Sequence, residues 1–435
     1  MKDYLKNPCP CGKNHTIAVD EVVVGSGAVK RLPEFVRKYG KKPFVVADVN
    51  TFAAAGEQVC RLLEENEITY GSFVFQDAAL EPDEKAVGSA FMHFDNTCDV
   101  IVGVGSGVIN DICKILSNVS GKPYIVVGTA PSMDGYASAT SSMSRDGVKV
   151  SLNSRCADVI IGDTDILKTA PLHMLKSGLG DMLAKFVSIA EWRIAHIITG
   201  EYYCEEVAQL IRGAVKKCVE NAQGLLKRED GAIEAVFEGL VLGGVAMAYA
   251  GVSRPASGVE HYFSHVWDMR GLEFGTKVDL HGIQCAMATM KAVELYEKVM
   301  AITPDWEKAR AYVESFDLED WNTQLREFLG SSAETMIELE KKEGKYRKDT
   351  HAARFAIIEK NWDAILQILK EELPTAEELC KLMDAVGINR DLGTIGVSRE
   401  DAKITFRATK DIRDKYVLSR LAWDLGLLDE LCEML

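Results

Sequence analysis

The chain has 435 residues, about three times a typical single domain, so two or three domains are expected. Aspartate and glutamate total 65 against 50 lysines and arginines, a net charge of −15, which excludes the basic footprint that a nucleic-acid-binding protein needs. With 47% hydrophobic and 26% charged residues, the composition is that of a globular protein and not of a disordered one.

The first residues, Met1-Lys2-Asp3-Tyr4-Leu5, contain no apolar export core, and a cytoplasmic location is the expectation. Next comes Cys9-Pro10-Cys11-Gly12-Lys13-Asn14-His15. Two thiols and an imidazole this close suit zinc, but a closed structural site takes four ligands and the segment offers only three. A tight Pro/Gly turn carrying two ordinary thiols is the alternative, and the role of Cys9, Cys11 and His15 stays open. The other nine of the 11 cysteines are scattered, as expected of reduced thiols.

Apolar runs then predict strands at Glu21–Val24, Pro43–Ala47, Tyr70–Phe75, Val100–Gly103 and Tyr124–Val127, with helices over Thr51–Asn66 and Pro82–Phe94 between them. Alternating apolar strands and helices imply a parallel sheet covered on both faces. Beyond residue 165 helical periodicity takes over, in Tyr202–Leu226, Ala232–Tyr249, Ile283–Val299 and Ile357–Glu372. The expected architecture is an α/β, Rossmann-like domain over residues 1–165 followed by an all-helical domain over residues 166–435. The longest uncharged apolar stretch, Gly239 to Val252, holds four glycines. It is shorter than the roughly 20 residues of a membrane span, so a buried core helix is predicted.

Two glycine clusters follow strands. Gly25-Ser26-Gly27-Ala28 lacks the third glycine of a dinucleotide fingerprint and reads as a strand-to-helix turn. Gly103-Val104-Gly105-Ser106-Gly107-Val108-Ile109-Asn110-Asp111 leaves backbone amides uncovered at a helix start, where a diphosphate fits; a tight strand-to-helix turn would use the same glycines. Asp48 closes the second strand, either as an acceptor for ribose hydroxyls or as a cap for the following helix. The polar loop Gly128-Thr129-Ala130-Pro131-Ser132-Met133-Asp134-Gly135 follows the fifth strand, at the sheet edge where open α/β folds bind ligands.

His261 and His265 share one helix face, His281 opens another helix, and Asp181 follows Gly178-Leu179-Gly180 at an expected helix start. An aspartate and two histidines with an open position suit a catalytic divalent metal; as an alternative, Asp181 serves only as an N-cap. His93, His173, His196 and His351 read as ordinary core or surface residues.

The order of these motifs, from the glycine turn ending in Asp111 through Pro131–Gly135, Gly180-Asp181, His261/His265 and Leu280-His281-Gly282, resembles the iron-containing alcohol dehydrogenases, whose fold is shared with dehydroquinate synthase. Within that superfamily, Ser253-Arg254-Pro255-Ala256-Ser257-Gly258 before Glu260-His261 is most similar to the sn-glycerol-1-phosphate dehydrogenase family. The resemblance implies a metal held by Asp181, His261 and His281, and NAD(H) or NADP(H) near Asp48, Gly105, Ser106, Gly107, Asp111, Thr129 and Ser132. It places Asp134 and His265 at the reacting centre, with His265 as a proton relay and not a ligand. Lys185 stands where iron enzymes carry a fourth ligand, a histidine, which points to zinc, or alternatively nickel. The implied reaction is reversible reduction of dihydroxyacetone phosphate to sn-glycerol 1-phosphate, with Arg254 as the motif-linked cation for the phosphate or else a structural ion-pair partner. Glycerol dehydrogenase and a dehydroquinate-synthase-like lyase are the alternatives, and the enzyme is expected to be a homo-oligomer.

Overall fold

The computed structural model describes residues 5, 7–145 and 148–435, so most of the N-terminal segment read for export lies outside the described residues. The chain packs as two compact units, one of residues 1–182 and 206–252, the other of residues 183–205 and 253–435.

In the first unit β1 (Glu21–Gly25), β2 (Pro43–Asp48), β3 (Gly71–Phe75), β4 (Val100–Gly105), β5 (Tyr124–Gly128) and β8 (Val159–Asp163) form one parallel sheet in the order β1-β8-β5-β4-β2-β3. The register pairs Val45 with Val102 and Val102 with Ile125. β2, β4, β5 and β8 are buried along their whole length, which is why they read as continuous apolar runs rather than alternating ones. The five predicted strands are all present, and β8 slots between β1 and β5. A separate antiparallel pair, β6 (Thr140–Arg145) with β7 (Val148–Asn153), escaped prediction because its Ser/Thr-rich first strand lacks an apolar run.

The chain leaves β2 towards β3 and β4 towards β5, in opposite directions along the sheet. The crevice of an open α/β sheet therefore lies beyond the C-terminal ends of β2 and β4, where Asp48 and Gly105–Gly107 sit.

Helix Asp230–Ala250 also belongs to this unit. Its Phe237 packs so closely on the sheet that a Cβ at Gly128 or Gly162 would approach the ring to 2.9 or 2.3 Å. Among the described residues it is the one helix long and apolar enough to cross a membrane, and 67% of its apolar window is buried in the protein, as predicted for a core helix. Because Glu206–Val252 packs with the sheet, the shift to helical sequence near residue 165 marks a change of secondary structure, and the compact units divide elsewhere.

The second unit is helical. It contains Lys185–Thr199, Val259–Phe274, His281–Met300 and the helices from Trp306 onward, packed around Trp192, Trp423, Tyr262 and Tyr296. The single helix predicted over Ile357–Glu372 is two, His351–Lys360 and Trp362–Glu372, with Asn361 between them outside the helical region.

Candidate active site

In the first unit, the two glycine turns have different fates. At Gly25–Gly27 the amides of Gly27 and Val29 donate to the Asp163 carboxylate at 3.1 and 3.0 Å, so the protein's own anion fills this nest. The helix Gly107–Ser120 that follows β4 has no acidic residue in its first turn. Ser106 occupies the N-cap position without capping; its hydroxyl instead meets Ser132 Oγ at 2.6 Å. Gly103 and Gly105 serve packing, since a Cβ there would press on Tyr124 and Ile109 at 2.8 and 2.5 Å. A Cβ at Gly107 would make only ordinary contact with Met133, at 3.5 Å, so this glycine is not required by packing, and its helix start is the natural anion cradle.

The polar loop after β5 is tied in at each step. Thr129 extends the ladder by donating its amide to Gly105 at 3.2 Å, Ser177 Oγ donates to the Ser132 carbonyl at 2.9 Å, and the Asp134 amide donates to Asp181 Oδ2 at 2.9 Å. Asp111 is held by Lys114 at 3.3 Å and by the Ser142 amide at 3.2 Å, so it braces β6 as well as lying near the turn. Asp48 is a helix cap: its Oδ1 accepts the amides of Asn50 and Thr51 at 2.8 and 2.9 Å.

Asp181 departs from expectation. It lies in the last turn of helix Leu172–Leu183, fully buried, and does not start a helix or cap one. Gly178, three residues before it, serves a close approach of backbone: a Cβ there would sit 1.9 Å from the Pro131 carbonyl oxygen.

In the second unit His261 and His281 converge. Their ligand atoms and Cys285 Sγ lie within 4.8 Å of one another, and the two rings are 5.1 Å apart. His261 Nδ1 is 2.8 Å from Glu260 Oε1, and His281 Nδ1 is 3.0 Å from Ser264 Oγ. A carboxylate on Nδ1 makes it the protonated nitrogen of His261 and puts the lone pair on Nε2, the arrangement typical of metal-ligating histidines. His265 stacks 6.1 Å from His281, close to the pair but outside it. Cys285 is one of the scattered thiols that sequence alone does not single out. It stands 3.6 Å from His281 Nε2, and its position four residues after His281 on one helix was the available signal. Burial works to raise its thiol pKa, but His261 and His281 outweigh that and hold it below the ordinary cysteine value.

Arg254 is buried, ion-paired with Glu201 at 2.5 Å and donating to the Tyr416 carbonyl at 2.9 Å, the contacts of the structural ion-pair alternative. The whole segment before His261 is pinned in the same way. Lys185 Nζ donates to Ala256 O at 3.0 Å, Ser188 Oγ to Pro255 O at 3.2 Å and Lys415 Nζ to Ser257 O at 2.6 Å. Lys185 thus has a carbonyl to hold, which explains a lysine at this position. Burial, then Arg254 and Arg413, push the Lys415 ammonium down to about 7. Glu191 accepts the amides of Val259 and Leu418 at 2.9 and 2.8 Å, and burial followed by the Glu260 charge raises its pKa.

A model of the iron-containing alcohol dehydrogenase family matches residues 23–171. The chain is 34% identical to the glycerol-1-phosphate dehydrogenase (NAD(P)+) of Halalkalibacterium halodurans over 320 residues, 72% of this chain and 78% of that one. Against the enzyme of the same name from Pyrococcus furiosus it is 34% identical over 272 residues, 62% of this chain and 76% of that one. Its fold matches the crystal structure of glycerol dehydrogenase from Schizosaccharomyces pombe with a TM-score of 0.62 at 18% identity, covering 97% and 92% of the two chains. It also matches an iron-containing alcohol dehydrogenase from Thermococcus thioreducens with a TM-score of 0.59 at 14% identity, covering 96% and 99%. The motif order, the sheet topology and these identities lead to one assignment: the chain belongs to the glycerol-1-phosphate dehydrogenase family of NAD(P)-dependent, metal-containing oxidoreductases.

Proposed function

We propose that the chain catalyses reversible NAD(P)H-dependent reduction of dihydroxyacetone phosphate to sn-glycerol 1-phosphate, with one divalent metal held by Asp181, His261 and His281. The observation that carries this reading is the His261/His281 pair, converging with Nδ1 of each ring held by Glu260 or Ser264. The name of the relatives supplies the substrate. Two imidazoles with a carboxylate form a donor set that suits zinc first and nickel second. A metal bound there supplies Lewis-acid polarisation of the substrate's ketone oxygen.

The chain's own residues do the rest. Glu260 and Ser264 fix the two imidazoles, and Glu191 and the lysines beneath residues 253–258 hold the segment that carries His261. The helix start at Gly107 binds the cofactor diphosphate through backbone amides. Thr129, Ser132 and Asp134 line the cofactor side, and His265 passes the proton to the product hydroxyl. Asp48 disfavours a 2′-phosphate near the ribose by charge, which favours NAD(H) over NADP(H).

The test is a metal-supplemented assay of the purified chain with NADH or NADPH and dihydroxyacetone phosphate, against glycerol with NAD⁺. Turnover of the phosphorylated ketone to the sn-1 enantiomer is the expected result. Turnover of glycerol alone, whichever of zinc, nickel or iron is added, would refute the proposal.

A further inference from the structure

The segment Cys9–His15 takes no part in the reading above, and its geometry is that of a metal-binding loop. Cys9 Sγ, Cys11 Sγ and a His15 ring nitrogen lie within 4.8 Å of one another. Cys11 Sγ is 3.3 Å from His15 Nε2. In a tetrahedral zinc site with Zn–S of about 2.3 Å and Zn–N of about 2.05 Å, the sulfur and nitrogen donors stand about 3.5 Å apart. The observed spacing is therefore near that of two ligands on one ion.

The second observation is the support behind the histidine. His15 Nδ1 lies 3.0 Å from the Tyr249 carbonyl oxygen, in the same unit. A carbonyl only accepts, so Nδ1 carries the proton and Nε2 turns its lone pair towards Cys11. The backbone of His15 is clamped as well: its amide donates to Asn7 Oδ1 at 2.9 Å and its carbonyl accepts from Asn7 Nδ2 at 3.1 Å. The loop between closes with Gly12 N to Cys9 O at 2.9 Å and Cys9 N to Lys13 O at 3.1 Å, and Gly12 takes the left-handed φ of +84° that this turn requires. Cys9 and His15 are buried, so the donors are held away from bulk water.

We infer that Cys9, Cys11 and His15 form a second, structural metal site that takes zinc, distinct from the Asp/His/His site proposed above. Two thiolates and one imidazole are a soft donor set that selects zinc over magnesium, calcium or manganese. The two thiolates offset the charge of the ion in this buried cluster. The fourth tetrahedral position falls to a further thiolate of the chain or to water.

The full-length chain, purified without chelator, is analysed for metal alongside Cys9→Ser/Cys11→Ser, Asp181→Ala and the combined variant. Two zinc ions per chain are expected in the wild type, one in each partial variant and none in the combination. Should the serine variant fail to fold, the wild type still answers. Titration of its thiols with a mercurial in the presence of a zinc-sensitive dye, repeated on Asp181→Ala so that Cys285 beside the histidine pair has no ion to displace, should release one equivalent of zinc from that variant. A serine variant that folds and keeps the wild-type metal count, or thiol titration that releases no zinc, would overturn the site. Loss of metal from Asp181→Ala tests only the catalytic reading, so the two failures are distinguishable.

Discussion

Glu260→Gln removes the charge beside His261 while keeping the shape of the side chain. Glu260 is fully buried, its Oε1 lies 2.8 Å from His261 Nδ1 and accepts the Gly258 amide at 2.6 Å, and its Oε2 meets no hydrogen-bond partner among the described residues. A hydrogen bond to a charged group contributes about 1.5–3 kcal/mol and a neutral one about 0.5–1.5 kcal/mol. Replacing carboxylate by amide therefore weakens the hold on His261 by about 1.5 kcal/mol, or about 10-fold in metal dissociation constant. That is the lower edge of the roughly 10–100-fold usual for the hydrogen-bond partners of ligating histidines. The same substitution puts an amide NH2 at the position where Oε2 lacks a partner but lowers the charge pressing on Glu191, two opposing effects that should leave the stability of the metal-free fold nearly unchanged. The assay is competition for zinc against a chromophoric chelator, with urea unfolding of the metal-free protein beside it. Weaker metal binding at unchanged stability supports the argument. Unchanged metal affinity, or affinity and stability falling together, would show that Glu260 does not act through His261.

Three further outcomes are expected. Gly178→Ala places a Cβ 1.9 Å from the Pro131 carbonyl oxygen and should destabilise the protein by about 3 kcal/mol, read as a lower urea midpoint; wild-type stability would contradict that close approach. Arg254→Ala removes the partner of a part-exposed Glu201 and the donor to the Tyr416 carbonyl and should cost about 1–3 kcal/mol of stability, with dihydroxyacetone phosphate and dihydroxyacetone kinetics changed alike; a loss confined to the phosphorylated substrate would assign Arg254 to the phosphate. Lys415 ionises near 7 in the fold against 10.5 ordinarily, so between these values the unfolded chain binds the extra proton and stability rises with pH; Lys415→Met should abolish that rise in urea midpoints, and an unchanged profile would refute it.

Much of the architecture is legible in the sequence because buried parallel strands are apolar on both faces. β2, β4 and β5 therefore announce themselves as runs such as Phe44-Val45-Val46-Ala47, and the helices as periodic stripes. The pair β6–β7 does not, since Thr140-Ser141-Ser142-Met143-Ser144-Arg145 is stabilised by pairing and by contacts such as Ser142 N to Asp111, which no local pattern records. The candidate ligands were likewise legible as residue types at suggestive spacings, His261 and His281 foremost. Only tertiary structure decided what each polar group faces. It put the Asp163 carboxylate into the first glycine turn, set Asp181 at a helix end against the Asp134 amide, and gave Arg254 to Glu201. It also brought Cys285 to the histidine pair and turned His15 towards Cys11 by way of the Tyr249 carbonyl, 234 residues away in sequence. Hydrophobic periodicity is a local property that the sequence carries along its length. The partner of a buried charge or ring nitrogen is fixed by long-range packing, because a desolvated polar group must be satisfied by whichever atom the fold delivers to it.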